Sequence, residues 1–360
     1  MTQSPELTPE RFFSLPELFP IELAPGKASF VPMDRESYRR SIFTDRGRIQ
    51  TAQRQGWDIP LMGLVQDFEA RGGVQRPINY IFHVAHCGST LLARALDLPG
   101  RTLVTREPFA LRQLAAQAAA RPQGVSDPDG WSRCLRLITG LLGRTFDEGE
   151  HPVVKANVPV NFILEPLMAV AEGNRGIALY AGLDRYLLSV LKTPRHRQWV
   201  GNVLRQLAGG IAGTPPLTAA DLNDLSAPRA AACLWLAQHY RFAAALESDP
   251  RLASLDCEDL FSRPAEVLVA ACAHFGLDVP ADDIEAVVTG GLFQRHAKDL
   301  GRPFDSAARE AELATLRETM AGELADARAW AEAILARAPL TLPLPRPLLA
   351  PGGDAAPAND

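Results

Sequence analysis

The sequence predicts an α/β fold in three layers, with a central, mostly parallel sheet and helices on both faces. Three observations predict it. From Ile78 onward, five strand-length apolar runs recur in strand–helix–strand order. The first of them is continuous rather than alternating, as a strand buried on both faces should be. The stretches between them are strong helix formers that would cover the sheet on either side.

The elements follow in order. Residues 1–30 are proline-rich and mixed in pattern, and read as a loosely packed arm. They open a segment, 1–76, that lies against a main domain at 77–338. "DRESYRRSIFTDRGRI" reads as one or two short helices and "QDFEARGGVQRP" as a loop. "INYIFHVA" (78–85) is the first central strand, rich in β-branched and aromatic residues. "TLLARAL" follows as a helix and "RTLVT" (101–105) as the second strand. "FALRQLAAQAAA" is a helix by propensity, and "DPDGWSRCLRLITGLLGRTF" offers Asp and Pro at a helix start. "PVVKAN" (152–157), "GIALYA" (176–181) and "RLASLD" (251–256) are further strands. Residues 184–248 are mostly helical, broken at "AGGIAGTPPL", with a cap at Ser226 before Pro228 and a buried inner helix "AACLWLAQHYRFAAAL". "GGLFQRHAKDLGRPFD" is a polar loop of both charge signs, and "SAAREAELATLRETMAGELADARAWAEAILARA" a helix. The Pro- and Ala-rich residues 339–360 read as a disordered tail.

Composition narrows the function classes. An apolar fraction of 47% and a net charge of −5 over 360 residues describe a globular protein, not a general nucleic-acid binder. No apolar run approaches a membrane span, and the N-terminus lacks the basic start and apolar core of a secretory signal. A cytoplasmic location is expected. The five cysteines contain no CxxC pair and the seven histidines no HExxH spacing, so reduced thiols and no metal site are expected.

The stretch "YIFHVAHCGSTLLARALD" carries the chemistry. A strand runs through a small-residue turn into a helix, which gathers backbone N–H groups into an anion site. Gly88 permits close approach, and Ser89 and Thr90 add hydroxyl donors. A nucleoside-triphosphatase loop would read GxxxxGK[ST]; here Ser89 stands where its lysine belongs and His83 where its first glycine belongs. Walker-type hydrolysis therefore fits badly.

"AHCGSTLLARALD" resembles the 5′-phosphosulfate loop of the sulfotransferases that use PAPS, 3′-phosphoadenosine 5′-phosphosulfate. "LVTREPFALRQL", "VVKANVP", "SLDCEDLFSRPAEVLVAACAHFGLDVP" and "RHAKDLGRPFD" resemble further segments of that family, so the likeness spans about residues 78–315. The resemblance implies a P-loop-like α/β fold, PAPS as co-substrate and a small-molecule or peptide acceptor, with no metal. It implies Glu107 as catalytic base and His86 in place of the loop Lys or Arg that contacts the bridging oxygen. Cys87, Gly88, Ser89, Thr90 and Leu91 complete the loop's cofactor contacts. Arg106 and Lys155 are expected at the substrate. The family's nucleotide 3′-phosphate arginine falls on Ala181 here; Arg185, beside Ser189, is the expected substitute. Arg295, His296 and Lys298 are expected to close over the nucleotide. A histidine at position 86 is only partly charged near neutrality, its free pKa being about 6.5. Two other readings compete: a nucleotide-dependent kinase or phosphoryl transferase on the same scaffold, and a non-catalytic nucleotide-binding relative. The acceptor and the oligomeric state are not legible.

Overall fold

A computed structural model describes residues 8–51, 56–120, 124–296, 299–303 and 306–350. The chain opens with helix α1 (Pro9–Ser14) and a three-stranded antiparallel sheet of β1 (Leu18–Ala24), β2 (Lys27–Pro32) and β3 (Trp57–Pro60). Helix α2 (Arg35–Arg40) lies between the last two strands, and α3 (Leu61–Ala70) follows them. This corrects the expectation of a loosely packed arm, since Phe19, Ile21 and Phe30 are all buried. The prolines misled the reading. Pro25 sits in a two-residue turn with Gly26 at φ 74, and Pro20 borders a register shift, both places where a strand tolerates proline. The expected loop "QDFEARGGVQRP" also shortens, because its first five residues complete α3.

The five predicted central strands all form. β4 (Asn79–His83), β5 (Thr102–Arg106), β6 (His151–Lys155), β7 (Arg175–Tyr180) and β8 (Leu252–Asp256) make one parallel sheet in the order β5-β6-β4-β7-β8. Their connections carry α4 (Ser89–Ala95), α5 (Phe109–Ala119), α6 (Pro128–Leu142), α7 (Leu164–Ala169), α8 (Leu183–Leu191), α9 (Pro194–Ala212) and α10 (Ala227–Ser248). The α/β class is as predicted. From β4 the chain steps out to β5, back to β6, and then across to β7 and β8. That reversal leaves a crevice at the C-terminal end of β4, where open α/β sheets bind ligands. The expected cap at Ser226 is present, its hydroxyl accepting the Arg229 N–H at 3.4 Å. It starts the 22-residue α10, which is buried along Ala230–His239.

Helices α11 (Cys257–Ser262), α12 (Pro264–Phe275) and α13 (Ala281–Thr289) follow, then a short antiparallel pair, β9 (Arg295–His296) and β10 (Asp299–Pro303). The predicted last helix is two, α14 (Ser306–Thr319) and α15 (Ala321–Leu335). The tail expectation is corrected as far as residue 350. Leu348 N–H donates to Ser254 O at 2.7 Å, Ser254 N–H donates to Arg346 O at 2.8 Å, and Leu344 is buried. An edge strand offers such unpaired groups to whatever chain passes, and here the tail covers β8. Residues 351–360 lie outside the described residues.

Candidate active site

The loop after β4 is built from backbone geometry that side chains ordinarily avoid. Ala85 (φ 74), His86 (φ 53) and Gly88 (φ 85) are all left-handed, a cluster of strain of the kind that persists at functional sites. Glycine is favoured at position 88: besides the left-handed φ, a Cβ there would stand 3.0 Å from Phe261 Cζ and 3.1 Å from Leu260 Cδ2. Among the described residues, the amides of Cys87, Gly88, Ser89 and Thr90 donate to no backbone carbonyl; the first bonds of the turn run from Leu91 and Leu92 N–H to Gly88 O. Helix α4 has only seven residues, so its macrodipole is short. The unbonded amides, rather than the dipole, are what this loop has to offer an anion.

The expected loop residues differ in what they offer. Ser89 and Thr90 are largely buried, at the foot of the cradle. The N–H of Leu91 is already donated at 2.8 Å and its side chain is buried, so Leu91 has little left for a ligand. Cys87 is buried with Sγ 3.6 Å from Leu179 O, and burial pushes its thiol up to about 11. It fills space between the loop and β7. His86 packs against α9, its ring centroid 4.6 Å from His196 and 5.8 Å from Trp199.

An ion pair stands beside the loop. Glu107 follows β5 at φ 55, and its N–H donates to Lys155 O at 2.7 Å. Lys155 ends β6, and its Nζ donates to Glu107 Oε1 and lies 5.5 Å from the centre of the Phe43 ring. The lysine side chain is 2% exposed and the carboxylate 18%. The base candidate thus reaches solvent while its counter-ion stays dry. Asn157 donates to Glu107 O at 3.4 Å, and its own Oδ1 is buried without a partner among the described residues.

Arg106 does not join them. Its guanidinium donates to the carbonyls of Tyr38, Arg39 and Ser41 and, at 2.7 Å, to Asp97. Burial pushes Asp97 up and Arg106 down, each opposed by the charge of the other; the guanidinium itself does not deprotonate in proteins. Substrate contact, the expectation for Arg106, is corrected: it is a buried clamp.

On the other side of the loop, Arg185 lies over Phe261, the ring that faces Gly88. It pairs with Glu258 at 2.6 Å and Glu310 at 3.2 Å, while its Nε is buried without a partner among the described residues. Ser189 is half-buried one turn along α8. Ala181 is buried, and its carbonyl accepts the Trp235 indole N–H at 2.8 Å, so Trp235 belongs to the core. Lys298 and the side chains of Arg295 and His296 lie outside the described residues.

Sequence reasoning assigned no role to His196 and Trp199, which reach the loop from α9. Their spacing of three at a helix start, in "PRHRQW", was the available signal. Asp256, Cys257 and Glu258 bring ligand-type atoms within 4.8 Å of one another. Asp256 is occupied as the cap of α11, accepting the Glu258 N–H at 2.9 Å, and Glu258 pairs with Arg185. Two clefts of about 380 and 490 Å³ include Arg251 and Arg76, which precede β8 and β4, and so sit at the opposite edge of the sheet from the loop. No helix among the described residues is long and apolar enough to cross a membrane.

No protein-family profile matches the chain, and no curated protein matches significantly. Two solved structures are similar. One is a sulfotransferase from Alicyclobacillus acidocaldarius, 17% identical over 73% of this chain and 97% of that one, with a TM-score of 0.37. The other is the sulfotransferase domain from the curacin biosynthetic pathway, 14% identical over 69% of this chain and 99% of that one, with a TM-score of 0.39. Both neighbours are sulfotransferases. At this distance the likeness says nothing of activity, and the functional reading rests on the site.

Proposed function

We propose that this protein is a sulfotransferase that moves the sulfuryl group of PAPS to a hydroxyl or amine on a small molecule or peptide. The observation that carries the reading is the juxtaposition of the strained amide cradle at 85–90 with the Glu107–Lys155 pair at one sheet edge. Sulfuryl transfer needs both parts: donors for an anionic phosphosulfate, and a base for the acceptor. The amides of Cys87 to Thr90 and the Ser89 and Thr90 hydroxyls receive donor oxygens. His86 faces the oxygen between phosphorus and sulfur. Glu107 takes the acceptor's proton as the acceptor oxygen or nitrogen bonds to sulfur. The sulfur–oxygen bond to phosphate breaks, and its electron pair leaves with PAP, the 3′,5′-bisphosphate product. Lys155 holds the carboxylate in place and neutralises it. Arg185 and Ser189 take the 3′-phosphate once Arg185 exchanges a carboxylate for it.

Two observations favour the non-catalytic reading instead. Arg185 already holds two carboxylates, and His86 is packed on two aromatic rings. Thermal unfolding with PAP, ATP–Mg²⁺ and AMP in parallel separates the cases. A ligand at 100 times its dissociation constant adds about 2.7 kcal/mol. Selective stabilisation by PAP, followed by PAP release from PAPS over an acceptor panel, is the expected result. Stabilisation by ATP–Mg²⁺ alone overturns it in favour of a kinase. PAP binding without turnover, unchanged in His86→Ala, leaves the non-catalytic relative.

A further inference from the structure

His83 is the last residue of the central strand and is 4% exposed. Both of its ring nitrogens are engaged. The Ala85 N–H donates to Nδ1 at 3.0 Å, so Nδ1 carries no proton. The ring proton is therefore on Nε2, which donates to Ala156 O at 2.8 Å. That same Nε2 lies 3.8 Å from Glu107 Oε1. The backbone carbonyl of His83 accepts from Asn161 Nδ2 at 3.0 Å. One rigid ring thus touches the first left-handed residue of the loop, the exit of β6 and the carboxylate after β5.

We propose that His83 is a positioning residue whose two nitrogens do separate jobs: Nδ1 sets the turn of the loop at Ala85, and Nε2–H fixes the exit of β6 at Ala156, the residue after the Lys155 that holds Glu107. The second job rests on the reading of Glu107 as the base; the first does not. The chemistry suits an imidazole better than other side chains. Ala85 leaves the strand at φ 74 and needs an acceptor for its N–H within the buried edge. The Ala156 carbonyl at the exit of β6 needs a donor that brings no competing charge to the Glu107–Lys155 pair beside it. A neutral Nε2–H ring meets both needs at once.

Two substitutions separate the jobs. The side-chain oxygen of Asn occupies the place of Nδ1, and the side-chain nitrogen of Gln that of Nε2. His83→Asn should keep PAP affinity within about twofold and lower kcat about tenfold or more. His83→Gln should keep kcat at saturating PAPS within about threefold and weaken PAP binding about tenfold, the worth of one hydrogen bond. Equal losses in the two variants, or none in either, overturn the proposal. Two readouts on the unliganded full chain decide it even if no nucleotide binds and the sulfotransferase reading falls. Imidazole ¹⁵N spectra should show His83 as the neutral Nε2–H ring, with Nε2 moving and Nδ1 unmoved in Glu107→Gln. The Ala85 amide should exchange faster in His83→Gln and as in the native protein in His83→Asn. An Nδ1–H ring, or an imidazolium, or an Ala85 amide indifferent to both changes, overturns it.

Discussion

Arg106 and Lys155 are neighbours in register at the ends of β5 and β6, and both are buried cations under the segment 38–44. They do opposite work. Arg106 is ringed by three backbone carbonyls and Asp97, so it fastens the N-terminal segment to the sheet. Lys155 meets the Phe43 ring and a single carboxylate, and that carboxylate is partly open to solvent. A buried cation surrounded by fixed acceptors is structural. One whose single named partner is partly exposed is the better candidate for chemistry. Arg144 repeats the first pattern, with carbonyls of Phe12, Leu18 and Leu141 around it and burial pushing it down to about 10.

The comparison breaks if the two regions respond alike to substitution. Glu107→Gln should have the largest effect, lowering kcat about 10²- to 10⁴-fold, as loss of a general base does. The PAP-induced rise in unfolding temperature should survive it. Arg106→Met should do the reverse. It strands Asp97 without its cation, which costs about 3–5 kcal/mol in chemical denaturation, and PAP affinity of the folded fraction should be unchanged. If Arg106→Met instead weakens PAP or acceptor binding and spares stability, the assignment of roles is wrong.

A third buried group sharpens the contrast by being neutral. His239 stacks on Trp235 at 3.9 Å, and burial pushes its imidazole down to about 4. The unfolded chain takes up its proton near pH 6.5, before the folded one does, so stability is full above that pH and falls as pH drops toward 4. The loss should reach about 3 kcal/mol, and His239→Phe should flatten that part of a pH series of denaturation curves. A series with equal slopes in both proteins would refute it. The smallest effect is expected at the loop. Gly88→Ala should cost about 1–2 kcal/mol of stability for a left-handed alanine, and it should weaken PAP binding as Phe261 and Leu260 yield to the new Cβ. An alanine variant that binds PAP like the native protein would remove the loop from the site.

The two halves of the site were unequally legible. Loop residues 86–90 lie consecutively along the chain, so small residue types at a strand-to-helix turn showed them together. Glu107 and Lys155 were legible as strand-end residues, but their pairing was not, because 48 positions separate them. His83 and Asn157 carry no mark of a positioning role in the chain, and the α9 pair of His196 and Trp199 only its spacing of three. Each acquires a part only from the strand or helix packed beside it.

The sequence alone determined the five parallel strands, the capped inner helix and the position of the anion loop, because periodicity, capping and turn chemistry act over a few neighbouring residues. It misread the hairpin at 18–32 and the docked tail, whose prolines sit where sheet edges and turns admit them. Only the tertiary structure decided which strand-end cation became a clamp and which the partner of a half-open carboxylate. Arg106 and Lys155 have the same kind of sequence surroundings. Their difference comes from the segment 38–44 crossing above them, which brings carbonyls to one and an aromatic ring to the other.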